Sequence, residues 1–100
     1  MTHQPWSQLV LIVYDIVSDR RRNKIHKLLC QYGVPVQDSA FEARLERAER
    51  RILLDSAARL IDPAEDSFNL YPIQKDAENG IVSLGKPRPP VELPDYFILD

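Results

Sequence analysis

The chain has little that would tie it to a secreted or membrane setting. Cys30 is its only cysteine in 100 residues. An intrachain disulfide and a cysteine metal cluster are therefore excluded, and the composition suits a reducing cytoplasm. No apolar run approaches the roughly 18 residues of a membrane span. The opening residues, Met1-Thr2-His3-Gln4-Pro5-Trp6, carry no basic stretch followed by a long apolar one, so no secretory signal is expected. Also lacking are internal repeats, low-complexity segments, a histidine-rich cluster and a run of acidic metal ligands.

What is present is an ordinary globular composition, 44% apolar and 28% charged, of the size of one domain. A chain this short has a single core and often completes it by oligomerising. Net charge is −2, but it is unevenly spread. Residues 20–51 hold nine Lys/Arg against four Asp/Glu, and residues 52–100 hold four against nine. Such asymmetry between halves points toward a nucleic-acid partner or an acidic tail.

One junction carries the strongest chemical signal. Residues 9–14 are an unbroken apolar run that ends in Asp15, and a cationic helix start follows at Ser18-Asp19-Arg20-Arg21-Arg22-Asn23-Lys24. A strand apolar on both faces lies centrally in its sheet, so Asp15 is held rigidly at a strand end. Ser18 or Asp19 can cap the helix. Ile25, Leu28, Leu29 and Tyr32 give it one buried face, and Gly33 is expected at its C′ position. Cys30, in the same helical pattern, reads as a small buried filler.

The apolar positions then change parity, from Val34 and Val36 to Phe41, Ala43 and Leu45. Strands alternate with period two, so a bulge or tight turn is expected between Gln37 and Ala40, separating two short strands. Leu45, Ala48, Ile52, Leu53, Ser56, Ala57 and Leu60 predict a second helix of about four turns by the 3.6-residue period. Asp62-Pro63 stops it. Residues 67–73 read as a strand, with Pro72 placing it at a sheet edge. Asn79-Gly80 signals a hairpin, with a short strand at 81–84. Residues 86–94 are a proline-rich linker, and residues 96–99 a last apolar strand.

The order is β-α-β-β-α-β with extra C-terminal strand material. This is an α+β, ferredoxin-like arrangement: an antiparallel sheet with helices on one face. It forms a single domain, with residues 1–7 as a tail and residues 85–100 suited to packing on a partner subunit.

Three ordered motifs resemble the CRISPR-associated Cas2 family. They are Val13-Tyr14-Asp15-Ile16; Asp19-Arg20-Arg21-Arg22-Asn23-Lys24-Ile25 with Leu28-Leu29 and Tyr32-Gly33; and Val36-Gln37-x-Ser39-x-Phe41-Glu42. Asp62-Pro63-x-Glu65-Asp66-Ser67 and Leu70-Tyr71-Pro72-Ile73 continue the match, which covers residues 8–73 well. Ala40 stands where the family usually has valine, and Ala43 where a glycine is common.

The resemblance implies a homodimer whose C-terminal strand adds to the partner's sheet. It implies that Asp15 faces its symmetry mate and binds one divalent metal, Mg²⁺, as the catalytic site of an endonuclease acting on RNA or duplex DNA. It also implies a dimer that bridges CRISPR-associated integrases of the Cas1 kind during spacer acquisition. Arg20, Arg21 and Arg22 cannot all share one face at about 100° per residue. Arg44, Arg47 and Arg51 share a face of the second helix by their spacing. Beside the family match, both groups become contacts to a nucleic-acid backbone rather than solvated faces. Asp19 reads as a cap, His26 as structural or exposed, and Tyr14 and Phe41 as packing residues.

Two functions of different class follow. One is a metal-dependent endonuclease. The other is a non-catalytic dimeric adaptor that holds duplex DNA for an integrase, and the poverty of the acidic site favours it. A ribonuclease toxin on the same fold and a small-molecule regulatory module are the alternatives.

Overall fold

The computed structural model describes residues 7–86. The elements run β1 (Gln8–Asp15), α1 (Asp19–Cys30), β2 (Gly33–Gln37), β3 (Ala40–Leu45), α2 (Arg47–Leu60), β4 (Ser67–Ile73) and a short α3 (Lys75–Asn79). The strands form one antiparallel sheet in the order β2-β3-β1-β4. This is the ferredoxin-like topology, and the apolar β1 is central in it, as its two-sided pattern requires.

Alternation along the strands sorts the sheet into two faces. Val10, Ile12 and Tyr14 of β1 join Phe41, Ala43 and Leu45 of β3 in the main core. The helices cover this face with Ile25 and Leu29 of α1 and Leu53 and Ala57 of α2, and Phe68 and Leu70 of β4 complete it at the side. The face of α1 expected from its spacing is the face observed. Ser18 caps it, its hydroxyl accepting from the Arg21 N–H at 3.2 Å. Asp19 is instead the first helical residue.

The parity change resolves as a turn at Asp38-Ser39 together with an irregularity of register between Pro35 and Gln37. Gly33 does not serve as a left-handed helix terminus; it opens β2 opposite Ala43. A Cβ there would lie 2.1 Å from the Glu42 carbonyl oxygen and 2.7 Å from the Ala43 Cβ. Close approach of two strands, not turn geometry, requires this glycine.

Four further expectations are corrected. The buried line of α2 runs through Glu49, Leu53 and Ala57, while Ala48 and Ile52 are exposed. Leu45 belongs to β3, since the strand's alternation continues to that point. Asn79-Gly80 closes the short helix α3 rather than a hairpin, and residues 81–84 form no ladder. Acids Asp76 and Glu78 in its first turn suit the positive end of a helix, which outweighs the local turn signal. Cys30 is exposed, not a core filler. The proline-rich linker from residue 87 and the strand expected at 96–99 lie outside the described residues.

Candidate functional site

Asp15 is the last residue of β1 and is exposed. By alternation it shares a face with Leu9, Leu11 and Val13, the face that α1 and α2 leave open. Its register partner is Ser67, the first residue of β4. Asp15 thus stands at one end of the open face of the sheet, beside the loop that leads into α1. Val13 (37% exposed) and Tyr71 (52% exposed) lie on the same face, leaving apolar surface next to the carboxylate. Among the described residues, no group of three or more His, Cys, Asp or Glu is placed to hold an ion.

The three arginines of α1 have different fates. Arg20 is exposed and makes no ion pair among the described residues. Arg21 is engaged by two carboxylates, with Nε 2.7 Å from Asp66 Oδ2 and Nη2 3.0 Å from Glu65 Oε1. Arg22 donates to the Asp19 carboxylate at 2.5 Å and to the carbonyls of Ile16 at 2.9 Å and Val17 at 3.3 Å. Two of the three therefore shape the β1–α1 loop, and Arg20 is left exposed without an ion pair among the described residues.

The second group divides too. Arg44 is not on α2. It is in β3, and alternation with Phe41, Ala43 and Leu45 sends it to the open face, where it is buried and ion-paired with Glu78 of α3. Burial pulls its guanidinium below the usual value, and its Nε finds no hydrogen-bond partner among the described residues. The spacing argument failed because it carried helical periodicity back across the start of α2. Arg47 and Arg51 do share a face of α2, and Arg50 joins them. The three line a groove of about 470 Å³ together with Val10, Leu45 and Leu54, and Asp55 is its only acid among the described residues. None of these three arginines makes an ion pair among the described residues.

The remaining side chains are structural. Tyr14 is buried, its hydroxyl donates to the Asp38 carbonyl at 3.5 Å, and burial pushes its phenol up. His26 packs edge-on against Phe41, with ring centroids 5.3 Å apart. Asp66, Glu65 and Glu78 escaped the sequence reading as partners of the arginines. The signal for them was the acidic run Asp62, Glu65, Asp66, the complement in sign of Arg20 to Arg22.

The architecture and this site define a class: small ferredoxin-like proteins with a carboxylate at the end of the central strand and a basic helix start beside it. Within that class the chain belongs to the CRISPR-associated Cas2 family, whose model, described as CRISPR associated protein Cas2, matches residues 8–80. It is 35% identical over 91 residues to a CRISPR-associated endoribonuclease Cas2 of Thermodesulfovibrio yellowstonii, covering 91% of this chain and 96% of that one. It is 38% identical to a CRISPR-associated endonuclease Cas2 of Thermus thermophilus, covering 71% of this chain and 79% of the relative.

Solved structures agree. Streptococcus pyogenes Cas2 superposes with a TM-score of 0.69 at 29% identity, covering 77% of this chain and 99% of that one. A chain of a partial Cas6-RT-Cas1–Cas2 complex superposes with a TM-score of 0.66 at 27% identity, covering 77% and 84%.

Proposed function

We propose that this protein is a homodimeric adaptor of CRISPR adaptation, which holds duplex DNA and joins an integrase of the Cas1 kind. The observation that carries this reading is the open face of the sheet, apolar at Val13 and Tyr71 and ending in the exposed Asp15. A second copy is the natural cover for such a face, because its two-fold brings two short apolar surfaces and two Asp15 side chains together. The similar chain of the partial Cas6-RT-Cas1–Cas2 complex supports the integrase partner. Exposed Arg20 and Lys24 on α1, and the groove arginines Arg47, Arg50 and Arg51, supply the phosphate contacts. Such contacts position a duplex without reading its sequence.

A second reading, metal-dependent cleavage of RNA or duplex DNA, is favoured by Asp15 itself and by the names of the relatives. Mg²⁺ takes oxygen ligands, keeps several waters, and is commonly held by one or two carboxylates with substrate phosphate. One chain provides one carboxylate, Asp15, and a dimer mate would provide a second, so the donor set fits Mg²⁺. When bound there, the ion would neutralise phosphate charge and acidify a water. The chain's own part is to hold Asp15 at a fixed strand end and to bring the basic start of α1 against the substrate backbone.

One paired experiment separates the readings. Wild type and Asp15→Asn are assayed in one preparation for cleavage of RNA and duplex DNA and for spacer integration with the cognate integrase. The expected result is loss of Mg²⁺-dependent cleavage with integration retained and the dimer intact. Loss of integration in an intact dimer would overturn the adaptor ranking.

A further inference from the structure

The loop that follows Asp15 is fastened by a carboxylate from a distant part of the chain. The Asp66 side chain is fully buried, with 0% exposure. Its Oδ1 accepts from the Val17 N–H at 2.9 Å and from Arg21 Nη2 at 3.2 Å. Its Oδ2 accepts from Arg21 Nε at 2.7 Å and from the Asp62 N–H at 2.8 Å. Four donors satisfy a buried carboxylate. They also join three segments: the β1–α1 loop, the first turn of α1 and the turn before β4. The residue after Asp66 is Ser67, which stands opposite Asp15 in the sheet register. Asp66 therefore reaches Asp15 from two sides, through Val17 two residues beyond it and through Ser67 across the strand pair.

We propose that Asp66, with Arg21, is a positioning residue for Asp15. The inference rests on the reading of Asp15 as a metal ligand. Asp66 itself touches neither metal nor substrate. It fixes the backbone that follows Asp15 and the turn leading to Ser67 opposite it, so that the carboxylate keeps one orientation at the strand end. Hydrogen-bonded partners that orient a ligand typically contribute about 10–100-fold in metal affinity. This assignment also gives Arg21 a role other than nucleic-acid contact. Its guanidinium is already spent on Asp66 and Glu65, while Arg20 beside it stays exposed.

The test uses the full-length chain and Mn²⁺ as probe, read by broadening of the Ile16 and Val17 amide resonances, with Mg²⁺-dependent cleavage measured beside it. Asp15→Asn is the control for the underlying reading and should abolish the broadening. Asp66→Asn should raise the Mn²⁺ concentration for half-broadening about tenfold. It should raise the Mg²⁺ requirement of cleavage by the same factor, with the rate at saturating Mg²⁺ retained. Arg21→Gln, which leaves both backbone hydrogen bonds of Asp66 in place, should shift the midpoint in the same direction by less.

A folded Asp66→Asn chain with an unchanged Mn²⁺ midpoint would overturn the inference and leave Asp66 as a purely structural tie. Should Asp66→Asn fail to fold, an unchanged midpoint in Arg21→Gln overturns it equally. If Asp15→Asn broadens like wild type, the metal reading falls and takes the inference with it. That outcome is visible in the control arm alone.

Discussion

The two faces of the sheet are built from the same strands on different principles. The helix-covered face is apolar throughout: Val10, Ile12, Tyr14, Phe41, Ala43 and Leu45 lie under α1 and α2, each nearly inaccessible. The open face mixes buried charge with exposed apolar surface. Glu42 and Arg44 are buried there, while Val13 and Tyr71 are exposed. Substitutions on the first face should change whether the chain folds. Substitutions on the second should change what the folded chain meets.

The largest effect should come from emptying the covered face. Phe41 is 0% exposed and meets the Tyr14 and His26 rings. Phe41→Ala should cost about 3–5 kcal/mol, read as a lowered urea midpoint with an unchanged slope.

The ion pair of buried Arg44 with Glu78 on the open face comes next. Glu78→Gln leaves the Arg44 charge against a neutral partner and should cost about 1–3 kcal/mol. Replacing both residues by methionine should recover most of that loss, because removing a whole buried pair is often close to neutral. A double variant as unstable as the single one would mean that α3 is held by more than this ion pair.

The acid limb should then expose the Asp66 tie, which joins the β1–α1 loop to the turn before β4. Hydrogen bonds from Arg21 hold the Asp66 carboxyl well below the usual carboxylate range. A carboxyl depressed in the folded state adds stability above its unfolded value of about 3.9, and that stability is lost progressively as pH falls from there through the lowered folded value. Thermal melts from pH 6 to pH 2 should show wild type losing part of this increment below about pH 4, while Asp66→Asn lacks the corresponding slope.

The smallest folding effect belongs to Val13→Lys. At 37% exposure, its change should leave monomer stability within about 0.5 kcal/mol. Sedimentation at micromolar concentration should nevertheless show a shift from dimer to monomer. A Val13→Lys chain that stays dimeric would move the interface away from this face.

Much of this division was legible in the sequence. The two-sided apolar run of β1, the Ile25-Leu28-Leu29-Tyr32 stripe and the parity change before Phe41 each encode local geometry that tertiary packing did not override. The end of β1 was readable for the same reason, so the place of Asp15 at the strand end was legible. What was not legible depended on partners far along the chain. Arg21 and Asp66 are 45 residues apart, and Arg44 and Glu78 are 34 apart. No periodicity relates them. Glu49 was left out of the expected face of α2 because a buried acid does not look like a core position. Its Oε1 accepts from the Glu46 N–H at 2.6 Å, and burial pushes its carboxyl up toward the neutral form.

The internal engagement of Arg21 and Arg22 has an electrostatic consequence for anything that meets α1. Five cations lie between residues 20 and 27, but two are already facing carboxylates of the same chain. Only Arg20, Lys24 and Lys27 remain to displace ions condensed on a polyanion. With about 0.9 counterions released per phosphate neutralised, this helix should contribute a log–log salt slope nearer −3 than −5 per chain. The field that a nucleic acid meets at this helix start is thus set by which arginines the fold has left unused.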